Sequence, residues 1–284
     1  MMFDLIAFDM DGTLLTSDKR IDPETKEMIE KAAVCGKTVA FCTGRTPIEL
    51  TGYPEQAPGV RYAICNNGAI LWDIKEQKKL YSNTLSPELM REILHIGLPE
   101  NYLIQCYTEN MYFEEHTEDD IRRVGIGEYL PMYRKLAETI PRLREKIEAG
   151  EFPVEKMALH MPGPEAEKRA RARFDAAHLP VEIKHANNTS LEFTMQGVTK
   201  GAGLIRLCGL LGIPVSASIA VGDMDNDRDA LLAAGLGIAM GNACEEIKKI
   251  AGAVVADNDH AGCAEAIRKY LLQENHHDQK NRPH

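Results

Sequence analysis

The stretch from Phe8 to Leu15 reads FDMDGTLL and directly follows the apolar run Leu5–Ala7. It puts two carboxylates, Asp9 and Asp11, at the end of a predicted buried strand. Because residues i and i+2 of an extended chain point the same way, both carboxylates can face one point just beyond the sheet edge. Two negative charges so close repel each other unless a cation lies between them. Mg²⁺ favours oxygen ligands, so this pattern predicts a magnesium site.

The same motif has two other interpretations. An Asp-x-Asp-Gly stretch is common in surface turns, where Gly12 would allow the sharp bend, and it also resembles the start of an EF-hand loop. The EF-hand loop requires a Glu at its twelfth position. Counted from Asp9, that position holds Arg20, which excludes an EF-hand. A plain surface turn stays open at this point.

The composition of the whole chain is ordinary for a globular protein. The chain has 284 residues, enough for two domains, and 44% of them are hydrophobic. The net charge of −10 argues against non-specific binding to nucleic acid or to an anionic membrane, since both reward an excess of Lys and Arg. No apolar run approaches the roughly 18 residues that span a bilayer, and the acidic start MMFDLIAFD is not that of a signal peptide. We therefore expect no nucleic-acid partner and no membrane partner.

The cysteine pattern indicates the cellular compartment in which the protein is expected. The seven cysteines include no C-x-x-C pair, so neither a zinc site nor a disulfide framework is indicated. Most stand in apolar contexts, such as Cys42 in VAFC and Cys65 in YAIC, and core packing is their expected role. Free thiols persist in a reducing compartment, so the expected location is the cytoplasm.

Strand and helix signals alternate at both ends of the chain. Asp22, Pro23 and Glu24 form an N-cap pattern that starts a helix, and this helix stops at Gly36. The other predicted elements are strands over Leu5–Phe8, Thr38–Cys42, Tyr62–Cys65, Ser218–Val221, Gly237–Met240 and Ala253–Ala256, and helices over Asp227–Ala234, Glu245–Ala251 and Cys263–Leu272. Fully apolar strands that alternate with helices imply a parallel sheet covered on both faces. The prediction is an α/β fold with a Rossmann-like, doubly wound parallel sheet as its core.

The middle of the chain breaks this pattern. From about residue 83 to residue 188 the strands are less apolar, charges of both signs are frequent, and Pro and Gly often interrupt the elements. We interpret residues 83–188 as a large inserted α/β domain. The first domain is then discontinuous and comprises residues 1–82 and 189–284.

Three predicted strands of the first domain end in polar residues. These residues are Asp9 and Asp11, then Thr43 and Gly44, then Asp223, Asn226 and Asp227. In an open parallel sheet, ligands bind beyond the carboxyl ends of the strands, and right-handed crossovers put those ends on one edge. Just upstream of the last group, Lys200 begins an apolar helical run. Each piece alone has a structural explanation, but the four in this order predict one functional site.

At this point the sequence resembles a known family. DMDGT at residues 9–13, TGR at 43–45, VTKG at 198–201 and GDMDND at 222–227 are together similar to the signature series of haloacid dehalogenase-like phosphatases. The flanking stretches NNGAIL, LEFTMQGVTKG and GLGIAMGNA look like the Cof-type subfamily. The resemblance covers nearly all of the first domain. The middle matches only in size and position, which implies that residues 83–188 are the cap domain that sets substrate specificity.

The resemblance implies a Mg²⁺-dependent phosphatase that works through an aspartyl-phosphate intermediate. Asp9 would attack phosphorus, and Asp11 would protonate the leaving oxygen and then take a proton from the attacking water. Asp9, the backbone carbonyl of Asp11 and the carboxylate of Asp223 would bind the Mg²⁺ ion. Asn226 and Asp227 would lie at or just behind the metal shell.

The resemblance also assigns the phosphate contacts. The Thr43 hydroxyl, the Gly44 N–H and the Lys200 ammonium would hold the transferring oxygens. Arg45 and Asn67 are candidate substrate-binding residues. A pairing role for Arg45 and a turn role for Asn67 stay open beside that assignment.

One departure from the family's pattern stands beside the last acidic motif. Where the family often has a methionine a few residues after its Asn-Asp pair, this chain reads NDRDALL, with Arg228 and Asp229. We expect both side chains on the exposed side of the helix, away from the chemistry.

The expected partner is a small-molecule phosphomonoester, such as a sugar phosphate, a nucleotide or pyridoxal phosphate, and the expected assembly is a monomer or homodimer. One alternative is a regulatory protein that binds a phosphometabolite without turning it over, and the intact pair Asp9 and Asp11 weighs against it. The other is a phosphosugar mutase. Such relatives usually carry a helical cap after the first motif, whereas the stretch between DMDGT and TGR holds only one helix and one strand.

Overall fold

The structure is a computed structural model that describes residues 2–274. Its strands, numbered in chain order, are β1 (Leu5–Phe8), β2 (Thr38–Cys42), β3 (Val60–Cys65), β4 (Ile70–Asp73), β5 (Lys78–Ser82), β6 (Leu103–Tyr107), β7 (Met111–Glu114), β8 (Ala137–Ile140), β9 (Lys156–His160), β10 (Val181–Asn187), β11 (Ser190–Met195), β12 (Ser218–Gly222), β13 (Leu236–Ala239) and β14 (Ala253–Val254). Its α-helices are α1 (Pro23–Val34), α2 (Tyr53–Gln56), α3 (Pro87–Gly97), α4 (Glu118–Arg123), α5 (Leu130–Leu136), α6 (Leu143–Ala149), α7 (Pro164–Ala177), α8 (Lys200–Leu211), α9 (Arg228–Ala233), α10 (Glu245–Ile250) and α11 (Gly262–Ala266). Residues 275–284, which the sequence analysis placed in the first domain, lie outside the described residues.

An eight-stranded sheet has the order β14-β13-β12-β1-β2-β3-β4-β5. The strands from β14 to β3 are all parallel to their neighbours. β1 lies in the interior of this sheet and all of its residues are buried, as expected for a strand that is covered on both faces. The predicted α/β fold with a Rossmann-like parallel core is confirmed.

Two strands at one edge of this sheet were not predicted. β4 follows the turn Asn66–Gly68 and returns antiparallel to β3. β5 has the sequence KKLYS and alternates exposed with half-buried residues, so it lacks the apolar run on which strand prediction relied. The core sheet is therefore mixed at this edge, although its central strands are parallel.

Helix α1 begins where its capping signal predicts. The Asp22 carboxylate accepts hydrogen bonds from the backbone N–H groups of Glu24 and Thr25, which would otherwise be unsatisfied at the helix start. Its buried face includes Met28 and Ile29 and packs in the same core as the central strands. None of the helices within residues 2–274 has both the length and the apolar character needed to cross a membrane.

A second, six-stranded sheet has the order β10-β11-β9-β6-β7-β8. Helix α3, capped by the Ser86 hydroxyl, buries Leu89, Met90, Ile93 and Leu94 along one stripe. Met90, Ile93 and Leu94 belong to a separate apolar core with Ile104 and Phe174. The middle of the chain thus has its own sheet and its own core.

The chain separates into two compact units. The first comprises residues 1–45, 50–80 and 199–284 as far as they are described, and the second comprises residues 46–49 and 81–198. The boundary predicted at residue 189 was wrong. Strand β11 is hydrogen-bonded between β10 and β9, so residues 189–198 belong to the second unit. The short segment 46–49 was also unexpected there, and it is held by a hydrogen bond of 2.9 Å from Ile48 N to Glu109 O.

Candidate active site

The site lies at the carboxyl ends of three neighbouring strands of the first unit. Phe8, the last residue of β1, is in register with Val221 of β12 and with Phe41 of β2. Because these strands are parallel and aligned, the residues that follow them emerge on one edge of the sheet. Those residues are Asp9, Thr43 and Asp223, all of them buried.

Lys200 joins two of the predicted acids. Its side chain is 1% exposed, and Nζ donates to Asp9 Oδ1 at 2.6 Å and to Asp227 Oδ1 at 2.6 Å. Although burial favours the neutral amine, the carboxylates of Asp9 and Asp227 raise the pKa of Lys200 above its usual value. Burial raises the pKa of Asp9, the Lys200 ammonium opposes this rise, and the Asp227 carboxylate adds to it. Lys200 therefore stays charged and holds two carboxylates that would otherwise repel each other.

Close backbone contacts position Lys200 beside Asp9 and Asp227. Thr199 caps α8 by accepting a hydrogen bond from Ala202 N, so the helix begins at Lys200. A Cβ on Gly68 would lie 2.2 Å from Thr199 O, and one on Gly203 would lie 2.4 Å from Ile64 Cγ2. Only glycine allows the Asn66–Gly68 turn and the first turn of α8 to approach so closely.

Asp229 was expected on the exposed side of its helix, and that expectation was wrong. Its side chain is half-buried, and Oδ2 accepts a hydrogen bond of 2.9 Å from Gly201 N. A carboxylate at this position satisfies one of the free N–H groups at the start of α8. Asp229 therefore supports the helix that carries Lys200, whereas Arg228 pairs with Asp225 at the surface.

Asp227 and Thr13 fix the loop that carries Asp223. Asp227 Oδ2 accepts hydrogen bonds from the backbone N–H groups of Asp223 and Met224, at 3.0 and 3.1 Å. The Thr13 hydroxyl donates to Asp223 Oδ1 at 2.8 Å. Burial raises the pKa of Asp223 to about 6, and the Thr13 hydrogen bond counteracts part of this rise. No role was predicted for Thr13, although it is the last residue of the DMDGT motif.

Three buried carboxylates could hold a metal ion. One oxygen each from Asp9, Asp223 and Asp227 lies within 4.8 Å of the others. The Asp11 backbone carbonyl accepts no hydrogen bond from residues 2–274, whereas the carbonyls of Met10 and Gly12 on either side of it are both bonded. Hard oxygen donors and an excess of buried negative charge fit a divalent cation such as Mg²⁺. The side chain of Asn226 is exposed, whereas these three carboxylates are buried.

Asp11 is paired with two cations. Its carboxylate accepts hydrogen bonds from Arg45 Nε and Nη2, both at 2.8 Å, and from Lys19 Nζ at 2.8 Å. Against the effect of burial, the hydrogen bonds and charges of Arg45 and Lys19 lower the pKa of Asp11 to about 2. Asp11 is thus an ionised carboxylate in this arrangement. Lys19 was not predicted, because it stands eight residues from Asp11 in a loop without a motif.

The TGR motif directly follows β2 in the same unit as Lys200. Thr43 is buried, and its Oγ1 accepts a hydrogen bond of 3.1 Å from Arg45 N, which leaves the hydroxyl hydrogen free to donate. Asn67 is buried with a φ of 56°, and its side chain lies over Gly44, where a Cβ would come within 3.1 Å of Asn67 Oδ1. Arg45 also donates to Tyr53 Oη at 3.3 Å. Hydrogen bonds thus join Lys200 to Asp9 and Asp227, and Arg45 to Asp11, while Asn67 contacts Gly44.

Comparison with known proteins identifies the family to which this chain is similar. The family model described as haloacid dehalogenase-like hydrolase matches residues 6–267. Phosphatase YwpJ of Bacillus subtilis is 30% identical over 94% of this chain and 99% of its own length. The 5-amino-6-(5-phospho-D-ribitylamino)uracil phosphatase YitU of the same organism is 28% identical, with 94% and 97% coverage. An HMP-PP phosphatase of Serratia proteamaculans is 28% identical over 88% of each chain.

Solved structures agree on the fold. A haloacid dehalogenase-like hydrolase from Bacteroides thetaiotaomicron superposes with a TM-score of 0.81 at 23% identity, over 94% of this chain and 99% of that one. A haloacid dehalogenase-like hydrolase from B. subtilis superposes with a TM-score of 0.78 at 27% identity, over 93% and 99%. The family resemblance drawn from the sequence motifs is therefore confirmed.

Proposed function

This chain belongs to the haloacid dehalogenase-like hydrolase family and is a phosphatase of small phosphorylated metabolites, and on that premise we propose that it acts through an aspartyl-phosphate formed on Asp9. The observation that carries this proposal is the buried contact of 2.6 Å between Lys200 Nζ and Asp9 Oδ1, beside Asp223 and Asp227. Burial raises the pKa of Asp9, and the Lys200 ammonium opposes this rise and so favours the anionic carboxylate. An anionic carboxylate at the end of a rigid central strand is a positioned nucleophile.

The proposed hydrogen-bond donors to the phosphoryl oxygens come from the TGR motif and from Lys200. The Thr43 hydroxyl and the Gly44 N–H would donate to these oxygens from the TGR motif, and the Lys200 ammonium would neutralise their charge. Such donors are most effective where the developing charge is largest, and they need no reorganisation during the reaction because the surrounding fold already holds them. Arg45 and Asn67 are the proposed contacts to the rest of the substrate.

Asp11 is the proposed general acid and base. It would protonate the leaving oxygen and afterwards take a proton from the water that attacks the aspartyl-phosphate. The carboxylate cannot donate a proton while Arg45 and Lys19 hold it ionised. Substrate binding must therefore loosen these ion pairs before the acid step.

The carboxylates of Asp9 and Asp223 and the Asp11 carbonyl are the proposed ligands of Mg²⁺, with Asp227 behind them. The bound cation would supply charge neutralisation between the anionic nucleophile and the anionic phosphoryl group. Asn226, which is exposed, is proposed only as a residue that contacts the ion through solvent.

Substrate choice is proposed to lie in the second unit. Two of the relatives named above are phosphatases of 5-amino-6-(5-phospho-D-ribitylamino)uracil and of HMP-PP. We propose sugar phosphates, nucleotides and pyridoxal phosphate as the classes to screen, for a cytoplasmic enzyme that is a monomer or homodimer. Phosphosugar transfer is a weaker candidate, because only α1 and β2 lie between Asp11 and Thr43.

The test is hydrolysis of p-nitrophenyl phosphate with Mg²⁺, with EDTA, and by the Asp9→Asn variant. We expect turnover that requires the cation and is lost in Asp9→Asn, whose side chain has the same shape but cannot attack phosphorus. Asp119→Asn, at an acid whose side chain is 92% exposed, is the matched control and should keep full activity. Turnover that persists in Asp9→Asn would contradict the assigned nucleophile. A regulatory protein would instead show no turnover in the wild type, and Asp9→Asn would keep its cellular effect.

A further inference from the structure

The loop that follows β1 is held from outside by side chains that no proposed catalytic role explains. Asn242 Nδ2 donates to the backbone carbonyl of Gly12 at 2.7 Å. Asn258 Nδ2 donates to Leu15 O at 3.0 Å, and the Asp259 carboxylate accepts from Ser17 N and Oγ at 2.8 and 2.6 Å. Asn242 lies in the GLGIAMGNA stretch, for which no role was predicted.

The orientation of the Asn242 amide is fixed by its two partners. The Gly12 carbonyl can only accept a hydrogen bond, so the atom that faces it must be Nδ2. Asn258 N can only donate, and it lies 3.2 Å from Asn242 Oδ1. The two contacts require the same amide orientation, so Asn242 is held rigidly although its side chain is exposed.

Gly12 is the position at which such an anchor matters most. Its φ is +84°, and a Cβ there would lie 2.5 Å from Asp223 Oδ2, so the backbone of Gly12 packs directly against that carboxylate. Glycine samples positive and negative φ about equally, so local sterics alone do not hold this conformation. The Asp11 carbonyl, which has no hydrogen bond within residues 2–274, belongs to the peptide that joins Asp11 to Gly12. A rotation at Gly12 would change the direction of that carbonyl relative to Asp223.

We propose that Asn242 is a positioning residue for the divalent cation: by anchoring the Gly12 carbonyl, it keeps the Asp11 carbonyl and the Asp223 carboxylate in one ligand set. Asn258 holds Asn242 in the required orientation. Asp259 holds the same loop farther along, at Ser17, and does not contribute to the ligand set. This inference rests on the proposed function in one respect, because it takes Asp9, Asp11 and Asp223 as the cation site.

The test compares Asn242→Leu and Asn242→Ala with the matched control Asp259→Ala. Leu keeps the branched shape of Asn but cannot donate, and it adds no charge near the cation site. Each Asn242 substitution removes one hydrogen bond to Gly12 O and one from Asn258 N, whereas Asp259→Ala removes two hydrogen bonds from Ser17. Mg²⁺ binding is measured by titration calorimetry on the substrate-free protein, and the Mg²⁺ activation constant and the KM for p-nitrophenyl phosphate are measured separately.

We expect both Asn242 variants to bind Mg²⁺ about 10-fold or more weakly, the range seen when partners behind metal ligands are removed. Their KM at saturating Mg²⁺ should stay unchanged, and Asp259→Ala should bind Mg²⁺ like the wild type. Equal weakening in Asp259→Ala would show that loop stability alone is measured and would overturn the proposal, as would unchanged Mg²⁺ affinity in a folded Asn242→Leu protein. A wild type that neither binds Mg²⁺ nor hydrolyses phosphomonoesters would instead refute the proposed function.

Discussion

Replacing Lys200 with Met tests the charge balance of the site through stability. Met keeps the length and flexibility of the Lys stem and loses only the ammonium. Each contact of 2.6 Å to Asp9 and Asp227 corresponds to about 6 kcal/mol of Coulomb attraction at an effective dielectric constant near 20. The cost of desolvating the charged groups offsets most of this attraction. Removing one partner of a buried ion pair leaves an unpaired buried charge and lowers the free energy of unfolding by about 3–5 kcal/mol. We expect a loss in that range for Lys200→Met.

The assay is urea unfolding at neutral pH in EDTA, so that no bound cation replaces the ammonium. Lys248→Met removes an exposed pair with Glu245 and should change the free energy of unfolding by less than about 1 kcal/mol. The double variant Lys200→Met/Asp9→Asn should recover part of the loss, because one of the two orphaned charges is gone. A loss below about 1 kcal/mol for Lys200→Met, or no recovery in the double variant, would refute the reasoning.

Three further predictions concern other parts of the chain. Asp11→Asn should release a burst of nitrophenolate, a leaving group that needs little protonation, and then stall as the aspartyl-phosphate; steady turnover without a burst would contradict the assigned base. His160 is buried with its pKa lowered to about 3, so it stays neutral in the fold while the unfolded chain takes up a proton below about 6.5. The contribution of neutral His160 to the free energy of unfolding is therefore complete above that pH and falls by about 2 kcal/mol by pH 5. His160→Gln should flatten this pH dependence, as measured by urea unfolding. Gly203→Ala puts a Cβ 2.4 Å from Ile64 Cγ2 and should lower stability by about 1–3 kcal/mol, whereas Gly209→Ala, with open space at that position, should not.

The sequence predicted the parts of the fold that depend on short-range signals. β1 and β2 were predicted with the observed bounds, because each is a compact apolar run that ends in a polar motif. β5 was missed, because its residues alternate at the sheet edge and form no apolar run. The wrong boundary at residue 189 has a similar cause: nothing local in β11 tells which sheet it joins, and pairing with β9 decides it.

The candidate site shows the same division. Motif residues such as Asp9 and Lys200 could be identified because each motif contains the residue that the chemistry needs. The residues that hold the backbone around these motifs could not be identified, because each of them contacts a residue that is far away in sequence. Asp229 reaches Gly201 over 28 residues, and Asn242 reaches Gly12 over 230. Such contacts follow from the fold, and a single sequence gives no local signal for them.

The discontinuity of the first unit has a consequence for synthesis on the ribosome. β1 pairs with β12, which begins at Ser218, and Asp9 meets Lys200, so half of this unit emerges long after the other half. The second unit lies almost wholly between residues 81 and 198 and is available earlier. We expect the second unit to fold first during translation, while one edge of β1 stays unpaired. Nascent chains stopped before residue 199 should therefore lack Lys200, the cation that pairs with Asp9. The unpaired edge of β1 should make these chains prone to edge-to-edge aggregation.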